Sequence, residues 1–280
     1  MTLGINTFLF CSPFSNNNLT LLPTFKSWGF DCAEIAIEDP SLIDGPTINS
    51  AYQDSGLSHI ITCGAYGPGR DLRGTPADQQ AALDYTKQVL DMMPLYNSTL
   101  YCGPLYSAVG HASAYSDDEK ERQKDLVSSH LTTLSDYAAE RGIRIAMEVL
   151  NRFETDFMNS AAQAVEIVER INHSALKIHL DTFHMNIEEK SIPEAIRTAG
   201  PHLAHLHASA NHRGTPGTGT IPWLDIKKAL DDINYRGDIV IESFSTHIAT
   251  IARACCVWRD PGEPETIARD GLRYLRSIFD

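Results

Sequence analysis

Four side chains able to ligate a cation stand at or just past the ends of four apolar runs. Ile143–Glu148 closes on Glu148, and Leu176–Leu180 leads straight into Asp181. His202–His207 closes on His207, and Asp238–Glu242 closes on Glu242. Three carboxylates and one imidazole make a hard, oxygen-rich donor set. It suits a divalent ion such as Mn²⁺, Mg²⁺ or Co²⁺ better than a structural zinc cage, which favours thiolates. On a divalent ion the set carries one net negative charge; without one, the carboxylates would repel each other and some would take up protons. A single Glu at a strand end is ordinarily a solvated loop residue or half of a salt bridge. Four such residues at four successive strand ends point instead to a shared metal site at the mouth of a barrel.

Further polar residues sit close to these four in the chain. Glu154 follows Glu148 in a polar loop, where it is placed either to bind a substrate hydroxyl or to pair with Arg152. His184 lies three residues after Asp181, within reach of the same pocket. Arg213 lies six residues past His207 in a glycine-rich loop, Asn211–Gly219, where it could stabilise an oxyanion while the glycines let the loop close over a ligand. His205 shares a strand face with His207 by alternation and is read as structural. Phe8, Phe14, Tyr66, Tyr106 and Phe244 are candidate pocket walls.

Positioning four strand ends around one point requires a sheet that closes on itself. Strand and helix patterns alternate along the chain. Strands are expected at Leu3–Phe10, Cys32–Ile37, Leu57–Thr62, Thr99–Cys102, Ile143–Glu148, Leu176–Leu180, Leu203–His207 and Ile239–Ile241. Between them fall helices at Leu19–Trp28 and Pro46–Asp54, from Thr75-Pro76 to about Tyr96, and from a Ser116–Glu119 capping box to Arg141-Gly142. Others follow an Asn159 cap, at Pro193–Thr198 and Trp223–Ile233, and after Pro261-Gly262. This pattern is that of an α/β protein, a (β/α)8 TIM barrel, with residues 1–280 as a single catalytic domain. The long loops follow strands, which puts them on the catalytic face. A doubly wound nucleotide fold would need a glycine-rich loop after the first strand; Phe10–Asn16 contains no glycine.

The chain of 280 residues has 42% hydrophobic and 21% charged residues and a net charge of −13, without a Lys/Arg block. Neither nucleic acid nor an anionic membrane is an expected partner. The absence of an apolar leader and of a long apolar run fits a soluble, cytoplasmic protein. Of the six cysteines, none forms a C-x-x-C pair, and Cys32, Cys63 and Cys102 lie in or beside strand-like runs, as buried reduced thiols would.

The segments Glu148–Glu154 (EVLNRFE), Leu180–Asn186 (LDTFHMN), His212–Gly219 (HRGTPGTG) and Glu242–Ser245 (ESFS) together resemble the ketose 3-epimerases, a group of xylose-isomerase-like barrels that includes the D-tagatose and D-allulose (psicose) enzymes. Cys102–Gly110 and Arg70–Leu72 are similar as well. The resemblance implies a metal-dependent epimerase that inverts C3 of a free ketose through an enediolate. Glu148, Asp181, His207 and Glu242 would be the metal ligands, and Glu148 and Glu242 would double as the proton-transfer pair. Glu154, His184 and Arg213 would hold the substrate, and the protein would be a homo-oligomer, dimer or tetramer. Two positions depart from the family pattern: Ala210, where Glu is usual, and Phe10, where many members have Trp. The first bears on the loop after His207 and the second on sugar preference. The rival readings are another sugar or keto-acid isomerase or a polyol dehydratase, a repair nuclease, which the acidic charge disfavours, and a sugar-binding barrel without turnover.

Overall fold

The computed structural model describes all 280 residues. Eight parallel strands close into a barrel in sequence order, β1 (Thr2–Asn6), β2 (Cys32–Ala36), β3 (Ile60–Cys63), β4 (Leu100–Gly103), β5 (Arg144–Glu148), β6 (Leu176–Asp181), β7 (Leu203–Ala208) and β8 (Asp238–Ile241). Helices cover it: α1 (Leu21–Trp28), α2 (Gly45–Ser55), α3 (Pro76–Met92), α4 (Asp117–Ala139), α5 (Ala161–Ile171), α6 (Thr182–Glu188), α7 (Ile192–Ala199), α8 (Trp223–Asp232), α9 (Ala249–Ala254) and α10 (Pro264–Phe279). The strands are buried along almost their whole length, which is why they read as apolar runs rather than as alternating ones. No helix is long and apolar enough to cross a membrane.

The first strand ends at Asn6, not Phe10. Asn6 accepts the Phe8 N–H at 2.8 Å and starts a 3-10 turn over Thr7–Leu9. Phe10 consequently packs between Phe25 and Trp28 of α1, at ring-centre distances of 5.1 and 5.8 Å, and Phe8 faces the barrel mouth in its place. The expectation that Phe10 bears on sugar preference is therefore corrected, because its ring belongs to the helix packing. The cap of α5 is Ser160, in a reciprocal capping box with Gln163, rather than Asn159. The Asn159 amide instead donates to the carbonyls of Leu150 and Thr155, both at 3.0 Å, and so folds the loop after β5. Ser116 caps α4 through the Glu119 N–H, but Glu119 gives no return bond and pairs with Arg122.

Three of the long loops at the mouth are tied to one another. Buried Arg73 donates to Asp156 at 2.6 Å and to the carbonyl of His111 at 3.0 Å; Asp71 meets His111 Nδ1 at 2.5 Å and accepts the Ala108 N–H at 3.1 Å. The loops after β3, β4 and β5 thus form one wall. At its base β3 and β4 approach so closely that only glycine fits. Gly103 has φ +125°, and a Cβ there would lie 1.9 Å from the Gly64 carbonyl oxygen.

Candidate active site

Strand register explains why residues distant in sequence meet. Asp181 pairs in register with His207, and Glu148 with His179, so the ends of β5, β6 and β7 present their side chains at similar depth in the barrel. Glu242 follows directly on β8. One ligand atom from each of Glu148, Asp181, His207 and Glu242 lies within 4.8 Å of the others, and all four residues are buried. His207 Nδ1 is 3.3 Å from Glu242 and 3.8 Å from Glu148.

The residues nominated for substrate binding, Glu154, His184 and Arg213, line the same cavity as Glu148 and Glu242. Arg213 is buried, and its Nη1 donates to Asp181 Oδ2 at 2.6 Å, to Ser209 Oγ at 3.1 Å and to Glu242 Oε2 at 3.1 Å. Its guanidinium carbon lies 4.0 Å from the ring centre of Phe183 and 4.8 Å from that of Phe244. The backbone of Arg213 is left-handed, at φ +60°, a conformation that costs a non-glycine residue energy and is held here by the hydrogen bond of its N–H to the Ala210 carbonyl at 2.9 Å. Ser243 Oγ also donates to the Arg213 carbonyl. Ala210 is fully buried in that turn.

His184 Nδ1 accepts from the Asn151 backbone N–H at 3.2 Å and faces the Asn151 amide nitrogen at 2.8 Å. Its Nε2 lies 3.7 Å from Glu148 and 3.3 Å from Arg213 Nη2, so both ring nitrogens face a donor. Glu154 accepts from Asn151 Nδ2 at 2.7 Å and does not pair with Arg152, which binds Glu188 at 2.8 Å instead. A cavity of about 300 Å³ opens over these groups, lined by Glu148, Glu154, His184, Arg213 and Glu242 among others. Of the five nominated aromatics, Phe8, Tyr66 and Phe244 line it. Phe14 and Tyr106 are core residues, the latter packed 5.5 Å from Phe157.

Comparison with known proteins agrees with this geometry. A model of the xylose isomerase-like TIM barrel family matches residues 23–278. An L-ribulose 3-epimerase of Methylomonas sp. (strain DH-1) is 33% identical over 255 residues, covering 90% of this chain and 88% of that protein. The chain belongs to the ketose 3-epimerases of the xylose isomerase-like family. A D-psicose 3-epimerase of Enterocloster bolteae is 35% identical over 263 residues, with 90% and 87% covered. The crystal structure of a Methylomonas sp. D-allulose 3-epimerase in complex with D-allulose matches with a TM-score of 0.92 at 28% identity, covering 99% of this chain and 97% of that one.

The donor set of this epimerase fits a divalent cation. Glu148 Oε1 and His207 Nδ1 are buried side-chain atoms with no hydrogen-bond partner, and both belong to the four-residue cluster. Burial, reinforced by the Glu242 charge, pushes the Glu148 carboxyl well above the ordinary carboxylate range. Glu242 is buried too, yet His207 and Arg213 hold it below that range.

The layer beneath the cluster is invisible in the linear pattern. Glu34 of β2 is fully buried; its Oε1 accepts from Asn6 Nδ2 at 2.5 Å and meets His207 Nε2 at 2.9 Å, and its Oε2 meets His205 Nε2 at 2.6 Å. A carboxylate at Nε2 places the His207 proton there and leaves Nδ1 free to face a cation, the common arrangement at metal-bound histidines. His205 is accordingly structural. His179, also buried, stacks edge-on to His207 with ring centres 4.0 Å apart. Glu34, Asn151 and His179 escaped the sequence reading. The only trace of Glu34 is a charged residue inside the otherwise apolar run Cys32–Ile37.

Proposed function

We propose that this epimerase inverts the configuration at C3 of a free ketose of the D-tagatose, D-fructose/D-allulose or L-ribulose type, using one divalent cation, Mn²⁺ foremost. The observation that carries the reading is the convergence of Glu148, Asp181, His207 and Glu242, with two of the converging atoms unpartnered. Those four residues would hold the ion. Once bound, it would supply Lewis-acid polarisation of the ketose carbonyl.

The chain's own residues do the rest. Glu148 and Glu242 come from β5 and β8, so they flank the substrate from two sides. One carboxylate removes the C3 proton, and the electron pair delocalises toward the C2 carbonyl oxygen as an enediolate. The other carboxyl group returns a proton to C3 on the opposite face, which inverts the centre. A single base would favour return to the face it had deprotonated. Glu154 accepts from a substrate hydroxyl, while His184 and Arg213 hold substrate oxygens and fix which carbon lies between the two carboxylates. The walls from Phe8, Tyr66 and Phe244 keep water from the reacting carbon.

The test is incubation of the purified protein with D-fructose, D-tagatose, L-ribulose and D-allulose, with Mn²⁺ and then with EDTA. Chromatography is expected to show the C3 epimer, lost on chelation; no epimer from any of the four sugars would refute the reading. An oligomer, dimer or tetramer, is proposed from the family likeness. Light scattering that returns the monomer mass of 30.9 kDa would refute that part.

A further inference from the structure

The pocket has two chemically different sides. The reacting groups stand on the ends of β5 to β8, and the opposite wall comes from the chain after β1, β2 and β3. A wall of that kind could be purely apolar, and the aromatics nominated from sequence imply as much. It is not: Glu38, two residues past β2, and Arg70, in the loop after β3, both line the cavity. Both are half-buried, and neither has an ionic partner of its own.

Each is nevertheless held in place. Both Glu38 carboxylate oxygens lie 2.9 Å from the Ser12 hydroxyl, which has a single proton to give, so the carboxylate keeps most of its acceptor capacity for the cavity. Arg70 Nη1 donates to the Glu38 backbone carbonyl at 3.2 Å, and its guanidinium carbon rests 4.1 Å from the ring centre of Tyr85. That backbone bond and the stacking fix the position of the fork and leave its other N–H groups unused. A fixed acceptor and a fixed donor thus stand across the barrel mouth from the proton-transfer pair.

We propose that Glu38 and Arg70 are specificity-determining residues that read the terminal hydroxyl of the ketose, the end remote from the reacting carbon. The inference rests on the epimerase reading above and narrows it: the preferred substrate is a neutral ketohexose with a free 6-hydroxyl. A hydroxyl can donate to Glu38 and accept from Arg70 at once. A phosphate ester would gain from Arg70 but face the Glu38 carboxylate, so the pair selects against phosphorylated sugars. A 6-deoxy ketohexose leaves both groups without their partner when it displaces water from them.

The experiment compares kcat/KM for D-allulose, its 6-deoxy analogue and its 6-phosphate, in the Mn²⁺-loaded wild type, Glu38→Ala and Arg70→Met. The wild type is expected to favour D-allulose over the 6-deoxy sugar by about 10- to 100-fold, the range of hydrogen bonds to charged groups. In each variant that ratio is expected to fall to within about threefold of unity, with the loss on the side of the hexose. Glu38→Ala is also expected to narrow the discrimination against the 6-phosphate. A wild type that turns over both sugars equally, or a Glu38→Ala variant that keeps the full ratio, overturns this inference and leaves the epimerase intact. A wild type that epimerises no ketose overturns the underlying reading, and the inference with it. Because the decisive quantity is a ratio within one protein sample, partial unfolding of a variant does not affect it.

Discussion

Glu34 is the residue whose replacement separates positioning from folding most cleanly. Its carboxylate serves three buried donors, Asn6 Nδ2, His205 Nε2 and His207 Nε2. Glu34→Leu removes all three acceptors, and each stranded donor costs about 1–3 kcal/mol, or roughly 3–9 kcal/mol in all. Against a total stability of about 5–15 kcal/mol, that variant is expected to be severely destabilised. Glu34→Gln differs. With its oxygen in the Oε1 position it still accepts from Asn6 and His207, and its amide then faces His205, whose Nδ1 is unpartnered and free to take the proton instead. The fold should survive, but the carboxylate that orients His207 and raises its basicity is gone. Cation affinity is then expected to fall about 10- to 100-fold, equivalent to about 1.4–2.7 kcal/mol. Calorimetric titration of the apo protein with Mn²⁺ measures that loss, and urea unfolding of the apo protein measures stability separately. A Glu34→Gln protein that binds Mn²⁺ like wild type would sink the positioning argument. A Glu34→Leu protein as stable as wild type would show that the three donors do not depend on this carboxylate.

Three further predictions follow from other parts of the molecule. Glu242→Gln keeps the shape of the site and removes a proton carrier, so kcat for C3 epimerisation is expected to drop by at least about 10²–10⁴-fold; a near-wild-type rate would exclude Glu242 as a base. Gly103→Ala forces a Cβ against the Gly64 carbonyl at a positive φ, and denaturant unfolding is expected to show a loss of at least about 1–3 kcal/mol. At the opposite end of the barrel, His59 Nε2 meets Asp238 at 3.0 Å. The hydrogen bond that His59 donates to Asp238 raises His59 above 6.5; burial acts to raise Asp238, but His59 and Thr2 hold it below 3.8. The His59 contribution is complete below 6.5 and lost as pH rises through its elevated value. The Asp238 contribution is complete above 3.8 and lost as pH falls through its depressed one. The stability difference between wild type and His59→Gln should therefore be greatest between pH 3.8 and 6.5 and shrink on both sides; a difference independent of pH would contradict the pairing.

Much of the barrel was legible because each strand is buried on both faces and so reads as a short apolar run punctuated by turn residues. Where the ends were misjudged, a local hydrogen bond decided. Asn6 stopped β1 by accepting the Phe8 N–H, and Ser160 displaced Asn159 as a cap because Gln163 could answer it. α6 was missed for a similar reason. Asp181 looked like the end of a strand, and it also caps the next helix, its Oδ1 accepting the Phe183 N–H at 2.6 Å.

The sequence by itself determined that eight strands alternate with helices and that Glu148, Asp181, His207 and Glu242 fall at or beside strand ends. Strand ends of a closed parallel barrel share one face, so end position alone is enough to nominate a cluster. It could not determine which side chains inside the strands point toward the axis. That depends on the tilt and register of neighbouring strands, which no local pattern encodes when both faces are buried. Tertiary structure alone therefore decided that Glu34 supports His205 and His207, and that Phe8 rather than Phe10 faces the mouth. It alone also set Glu38 and Arg70 in the same cavity as Glu148 and Glu242.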